Sequence, residues 1–146
     1  MKKFNFVFII LCVVTSAYSQ TRSMGSQGIL GKLQIVIDYA EERDMEVVRV
    51  EADIIRSSKE SIRTLDPSYI YTITAIGSDR IQDLDIEVYK NINNVWTLVQ
   101  TDTDTSSVAA VQINPTSYAE YKVVVKVYKF NSGYDVGHYG LVFIHN

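Results

Sequence analysis

The sequence has 146 residues, with 14 Lys and Arg against 17 Asp and Glu, so its formal charge at pH 7 is -3. A chain of this length forms one globular domain, and the acidic balance excludes an electrostatic nucleic-acid-binding surface, which needs a basic excess. With 47% hydrophobic and 21% charged residues, the composition also excludes a disordered chain or a fibrous repeat.

The first nineteen residues have the pattern of a secretory signal peptide. Two lysines precede an apolar stretch over residues 4–14, and small residues stand at the -3 and -1 positions of a cut after Ser19. The apolar stretch is shorter than the roughly 20 residues that span a bilayer as a helix. We therefore expect residues 1–19 to be removed and the protein to be secreted or periplasmic.

Removal of this segment also removes two lysines and Cys12, the only cysteine. The mature chain would have 127 residues, a charge of -5 and no thiol. Disulfides, cysteine nucleophiles and cysteine-ligated metal sites are therefore excluded from its expected chemistry.

The remaining chain is predicted to form a short lead and a single domain. Residues 20–28 are small and polar with two glycines, which indicates a flexible lead, and residues 29–146 are expected to form the domain. From Ile29 the apolar residues recur at spacings of three and four, which predicts an amphipathic helix of about 14 residues, ending near Arg43. Its apolar stripe is expected to cover one end or face of a sheet.

Beyond the helix the hydrophobic period changes to two, which indicates β-strands. In the first strand Val48, Val50 and Ile54 alternate with charged residues, as in a half-buried strand. The predicted strands are 48–54, 60–65, 69–76, 84–90, 95–101, 108–113, 121–130 and 138–144. About eight short strands separated by turn sequences predict a mainly β fold, an antiparallel sandwich or barrel.

Several of these segments resemble, in the same order, the bacterial prepeptidase C-terminal domains. The segments that carry the resemblance are 69–77, 83–89, 101–105, 111–115 and 121–125. Within them Asp83 and Asp85 open a strand that ends at Tyr89. Asp102 and Asp104 stand in the acidic loop that follows. The resemblance implies a jelly-roll-like β-sandwich, here in a small stand-alone secreted protein with an N-terminal helix, and some members of the family bind calcium or a polymer.

Four aspartates form the candidate metal site. Asp83 and Asp85 are two positions apart on one strand and so share a face, and Asp102 and Asp104 lie in a later loop. Calcium takes six to eight oxygen ligands, which convergent carboxylates and backbone carbonyls supply. The alternative interpretation is that these aspartates cap loops and face solvent.

The aromatic residues of the strands and loops also have two interpretations. They could form a stacking platform for a sugar, or they could pack in the core, as tyrosines of half-buried strands do. Parity places Tyr69 and Tyr71 with Ile73, and Tyr121 with Val123, which favours packing. The residues concerned are Tyr69, Tyr71, Tyr89, Trp96, Tyr118, Tyr121, Tyr128 and Tyr139.

The two histidines give little support to catalysis. His138 and His145 are seven positions apart, which places them on opposite faces of a regular strand and argues against a shared metal site. A small hydrolase that uses His138 is the third and least favoured alternative. A nucleophilic serine would be expected in a context such as Gly-x-Ser-x-Gly, and the sequence contains none.

We therefore predict a non-catalytic secreted binding or accessory module with no catalytic residues and no required cofactor. Its partner would be a protein or a polysaccharide, with no nucleic acid and no membrane span after signal cleavage. The contact surface is expected in the loops 79–83, 102–107 and 131–137, because the function of sandwich domains is usually carried by end loops. The alternative is a calcium-stabilised carbohydrate- or protein-binding module that uses the four aspartates.

Overall fold

The structure is a computed structural model that describes the backbone of residues 24–146 and the side chains from residue 28. The predicted signal peptide and its cleavage site lie outside the described residues. Helix α1 spans Met24–Glu41. The strands are β1 Glu46–Ile55, β2 Ser58–Leu65, β3 Tyr71–Gly77, β4 Ile81–Ile92, β5 Val95–Asp102, β6 Val108–Ile113, β7 Ala119–Phe130 and β8 Gly137–His145.

The strands form two antiparallel four-stranded sheets, which confirms the mainly β prediction and all eight predicted strands. Sheet A has the order β1-β8-β3-β6, and sheet B has the order β2-β7-β4-β5. Every connection crosses between the sheets except the β4–β5 hairpin, whose turn residues Asn93 and Asn94 both have positive φ angles (53° and 65°). The strand order is that of a jelly roll, as the resemblance implied.

The core lies between the two sheets and is built from alternate residues of their strands. Ile73, Leu84, Val123 and Phe143 are fully buried there. Tyr71 and Tyr121 are also buried, so their predicted packing is confirmed. Tyr69 precedes β3 and is 39% exposed, because the turn that begins at Asp66 ends the strand parity before it.

Helix α1 packs on the outer face of sheet A. Its buried stripe contains Ile29, Leu33 and Ala40, which contact β3 and β8 in a hydrophobic cluster separate from the sandwich core. Gly140 in β8 leaves room for the helix, since a Cβ atom built there would lie 2.5 Å from Leu33 Cδ2. The expectation that the helix covers one face of a sheet is therefore confirmed.

The ends of the helix differ from those predicted. Residues 24–28, expected in the flexible lead, are helical, because each glycine or serine lowers helix propensity by about 1 kcal/mol or less and does not forbid a helix. The helix ends at Glu41 rather than near Arg43. Asp44 has a φ of 53°, and the Met45 amide donates to the Ala40 carbonyl (3.0 Å), as in a left-handed C-terminal cap.

A β-bulge in β1 reverses the orientation expected for that strand. Val47 pairs with Ile144 and Arg49 with Phe143, so Val48 is an extra residue and every later side chain changes face. Glu51 therefore lies opposite the core residue Leu141. Apolar and charged residues do alternate along β1. Beyond the bulge, however, the charged side chains point inward and the apolar side chains point outward.

The inward charges of β1 meet polar residues of β2 along the side of the sandwich where these two edge strands lie. We call this line of residues the charged seam: Arg49, Glu51, Asp53, Lys59 and Ser61. Arg49 and Lys59 form ion pairs with Glu51 and Asp53, respectively. Ser61 Oγ also donates to Glu51 (2.7 Å). The seam closes this side of the sandwich with paired charges instead of apolar packing.

Candidate functional site

The three loops predicted as a contact surface lie at the same end of the sandwich, which we call the loop end (residues 79–83, 102–107 and 131–137). Hydrogen bonds join them, since the Ser106 amide donates to Asp83 Oδ1 (3.4 Å) and the Asn131 amide donates to the Arg80 carbonyl (2.9 Å). The Asn131 side chain also donates to the Asp79 carbonyl (2.7 Å). The loops therefore form one connected surface.

The surface of the loop end is polar. Asp79 forms an ion pair with Lys32 (2.8 Å), which also donates to the Gly77 carbonyl (3.0 Å). The guanidinium of Arg80 lies 5.1 Å from the ring centroid of Tyr134, which is 49% exposed. Lys32 belongs to the helix and its partner is 47 positions away, so sequence periodicity could not reveal this contact.

Asp83 and Asp85 lie where β4 enters the loop end. Asp83 is buried, with register irregularities on both sides of it, and its Oδ1 accepts a hydrogen bond from the Ser106 amide (3.4 Å). Asp85 lies opposite Lys126 of β7 and is half-buried. This hydrogen bond from Ser106 to Asp83 links the β5–β6 loop to β4.

Asp102 supports the same loop from its other side. Its Oδ1 accepts from the Asp104 amide (3.1 Å), and its Oδ2 accepts from the Ala110 amide in β6 (2.8 Å). Both oxygens are therefore used by the backbone, as in the loop-capping interpretation. Asp104 is exposed at the tip of the loop.

Three of the four predicted metal ligands influence one another electrostatically. Burial raises the pKa of Asp85, and the negative charges of Asp83, Glu87 and Asp102 raise that pKa further. Among residues 24–146, no group of three or more His, Cys, Asp or Glu side chains is placed to hold a metal ion. Calcium binding at Asp83, Asp85, Asp102 and Asp104 stays a prediction.

The two histidines lie on different faces of sheet A, as predicted. His138 lines an outer groove of about 190 Å³ with Leu30 and Ile54. His145 is the last residue of β8 and lies on the inner face of sheet A. Its ring stacks on that of Tyr69, with 4.0 Å between the ring centroids. In the part of the chain that the structure describes, the buried Nδ1 atom of each histidine has no hydrogen-bond partner.

The end of the sandwich opposite the loop end contains tyrosines and a cleft. Tyr118 donates to Asp66 Oδ2 (2.6 Å), and the Asp66 amide donates to the hydroxyl of Tyr71 (3.2 Å). The cleft has a volume of about 250 Å³ and is lined by Lys90, Val99, Gln112, Ile113, Asn114, Thr116 and Tyr121. Other aromatic residues lie elsewhere, for example Tyr128 on the outer face of sheet B, so the eight predicted rings do not form one platform.

Comparison with known proteins gives a fold and no family. No protein-family model matches the chain, and no curated protein sequence matches it. The pre-peptidase C-terminal domain of a collagenase from Bacillus anthracis superposes with a TM-score of 0.51 and 10% identity, over 65% of this chain and 87% of that one. CorA, a surface-associated copper-binding protein of Methylomicrobium album BG8, superposes with a TM-score of 0.52 and 7% identity, over 64% and 91% of the two chains.

These similarities confirm that the chain has the fold of the prepeptidase C-terminal domains, as its sequence suggested. Within residues 24–146, no helix is both long enough and apolar enough to span a membrane.

Proposed function

We propose that this protein is a non-catalytic binding or accessory module that acts outside the cytoplasm and contacts its partner through the loop end. The observation that carries the proposal is the joining of three separate loops into one hydrogen-bonded surface. A surface fixed in this way binds with little loss of loop entropy, which favours recognition. The signal-peptide pattern of residues 1–19 supports the location.

The chemistry of the loop end suits a polar partner. Its exposed groups are carboxylates, hydroxyls and amides, with the ring of Tyr134 as the large apolar surface among them. Hydroxyl-rich polysaccharides and polar protein surfaces both match this combination, because tyrosine contributes an apolar face and a hydroxyl. We take a bacterial polysaccharide as the first partner to test.

A binding screen with matched tyrosine variants tests the proposal. The purified protein would be titrated with a panel of soluble polysaccharides, with affinity gel electrophoresis and calorimetry as readouts. Tyr134→Ala should weaken binding about tenfold or more, as expected for an aromatic residue at the centre of an interface. Tyr128→Ala is the control, because Tyr128 is 77% exposed on the outer face of sheet B.

Binding that survives Tyr134→Ala unchanged, or that is lost in Tyr128→Ala, would remove the loop end as the contact surface.

The location of the protein outside the cytoplasm has its own test. Mass spectrometry of the exported protein should give a chain that starts at Gln20, and a retained N-terminus would contradict the signal-peptide assignment.

A calcium-stabilised form of this module is a second candidate, and the raised pKa of Asp85 favours it. Burial is the main cause of the raised pKa of Asp85, and the negative charges of Asp83, Glu87 and Asp102 raise it further; a bound cation would relieve that repulsion. A cation that binds only the folded state raises the melting temperature. Millimolar calcium should therefore raise the melting temperature of the protein and leave that of Asp83→Asn unchanged, whereas no shift in the wild type ends the calcium hypothesis.

The hydrolase alternative receives no support from His138. In a Ser-His-Asp triad a carboxylate orients the histidine through Nδ1. Among the described residues, the buried Nδ1 of His138 has no hydrogen-bond partner. A hydrolase screen in which activity disappears with His138→Ala would overturn the non-catalytic assignment.

A further inference from the structure

The cleft at the end of the sandwich opposite the loop end contains a lysine that points inward. Lys90 stands two positions beyond the fully buried Val88 on β4, and it lies opposite the buried Tyr121 of β7. Because side chains two positions apart share one face of a strand, the Lys90 side chain enters the space between the two sheets. It is half-buried there, with Nζ 5.9 Å from the centroid of the Tyr121 ring.

Lys90 lacks the charged partner that the cations of the charged seam have. In the seam Arg49 and Lys59 each form an ion pair with a carboxylate. Lys90 forms no ion pair with any residue of the described part of the chain, and it donates to Ser117 Oγ at the long distance of 3.5 Å. An ammonium group that loses hydration without gaining a counter-charge is destabilised. A negative charge supplied by a ligand would restore the balance.

The rest of the cleft is neutral and offers both polar and apolar contacts. Two of its lining residues carry side-chain amides and one carries a hydroxyl, and the others are two aliphatic residues and one tyrosine. None of the described lining residues is acidic, although the chain contains 17 Asp and Glu. These lining residues are Gln112, Asn114, Thr116, Val99, Ile113 and Tyr121.

We propose that this cleft binds a hexuronate, a single sugar ring that carries a carboxylate, and that the carboxylate lies against Lys90. One ammonium group balances the one negative charge of a carboxylate. A phosphate monoester carries nearly two negative charges and is held best by the forked guanidinium of arginine. The described residues that line the cleft include no arginine.

The neutral groups of the cleft favour a hydroxylated ring over a purely apolar acid. An apolar ligand would leave the amides of Gln112 and Asn114 without hydrogen-bond partners, which lowers affinity, whereas sugar hydroxyls can pair with them. The C–H face of a pyranose ring can pack on Tyr121. The volume of about 250 Å³ is below the roughly 300–1,000 Å³ of most small-molecule sites, which favours one ring over a chain. The inference does not rest on the proposed function, because the loop end is at the other end of the sandwich.

Calorimetric titration with matched acidic and neutral sugars tests the proposal. The purified protein would be titrated with glucuronate, galacturonate and mannuronate, and with the neutral sugars glucose, galactose and mannose. At least one uronate should bind with a dissociation constant of about 1–10 mM, as expected for a ligand with few atoms. Its neutral counterpart should bind at least tenfold more weakly, because it lacks the charge that faces Lys90.

Two lysine variants with the same change in net charge locate the site. Lys90→Met should weaken uronate binding tenfold or more, because it removes the ammonium group and keeps a side chain of similar length. Lys129→Met is the control and should bind like the wild type. Lys129 is exposed and lies eight positions from Tyr121 along β7, which is roughly 26 Å.

A second measurement keeps the test decisive if Lys90→Met fails to fold by circular dichroism. In NMR spectra of the wild type, the uronate should shift the amides of residues 112–116 and leave those of residues 131–137 unchanged. The proposal is overturned if none of the three uronates binds, if the neutral sugars bind equally well, or if a folded Lys90→Met binds normally. Shifts confined to residues 131–137 would also overturn it, and they would assign sugar binding to the loop end instead.

Discussion

Asp102 illustrates how far a single residue can be interpreted from sequence. The sequence places it in the acidic loop after strand 95–101, whereas in the structure it is the last residue of β5, and loop capping was one of its two predicted roles. Its partners, the amides of Asp104 and Ala110, become evident only when β6 lies beside the loop. The same carboxylate can ligate a cation or accept amides, and only three-dimensional neighbours decide between these roles.

Gly140 allows a prediction about packing. Its Cβ atom would lie 2.5 Å from Leu33 Cδ2 and 2.9 Å from Cγ, so Gly140→Ala must displace a buried side chain. We expect a loss of about 1–3 kcal/mol in the free energy of unfolding, measured by urea denaturation. Gly31→Ala is the control, because nothing lies within 4 Å of its Cβ position, and it should gain about 0.5–1 kcal/mol from helix propensity. A neutral Gly140→Ala would mean that the helix is not seated on β8.

Asp85 allows a prediction about pH. Burial and then the charge of Asp83 raise the pKa of Asp85 in the folded protein, so its ionised form opposes folding and its protonated form does not. Asp85→Asn should therefore raise the urea midpoint at neutral pH. The gain should shrink as the pH falls through the raised pKa and vanish below the ordinary pKa of aspartate. Asp104→Asn serves as the control, and a gain that does not depend on pH would contradict the explanation.

At the scale of elements, the sequence predicts type and order better than orientation. Alternation and turn residues identified all eight strands, because both signals are local. The bulge at Val48 reversed the inward face of β1, since one extra residue is invisible to a count of alternating positions. The helix ends at Glu41, within two residues of the predicted end near Arg43, and the left-handed cap that follows uses Asp44, a conformation that aspartate only sometimes adopts.

The helix allows a prediction about which of its faces is required for the stability of the fold. Leu33 is 2% exposed and Ile35 is 68% exposed, two positions further along the same helix. Leu33→Asp should lower the free energy of unfolding by about 3 kcal/mol or more, because it replaces buried packing with an unpaired charge. Ile35→Asp should change it by less than about 0.5 kcal/mol. Equal effects of the two substitutions would mean that the helix is a detachable arm.

At the scale of the whole molecule, the two hydrophobic clusters share sheet A but lie on its opposite faces. The core between the sheets contains residues from every strand except β5, whereas the helix cluster depends on one stripe of α1. The jelly-roll order could be expected from the family resemblance. It could not be derived from periodicity, because alternation does not record which strands become neighbours.

The separation of the helix cluster from the sandwich core allows a prediction about hydrogen exchange. Amides of α1 should exchange through local opening of the helix, at a lower free energy than that of global unfolding. Amides of the central strands β3, β4, β7 and β8 should exchange only through global unfolding. Residue-resolved exchange by NMR measures both groups in one experiment. Equal protection of α1 and the central strands would show that the helix unfolds together with the sandwich.

The fit between Leu33 and Gly140 has a consequence for the order of events during biosynthesis. Helix α1 is made before every strand of the sandwich, but the strand that seats it is β8, which is made after the other seven. Until β8 is inserted between β1 and β3, the apolar stripe of the helix lacks the part of its packing surface that contains Val142 and Ile144. Newly made chains therefore carry a partly uncovered helix through most of their synthesis. A factor that binds exposed apolar helices can recognise the chain in this period and must release it when β8 is in place.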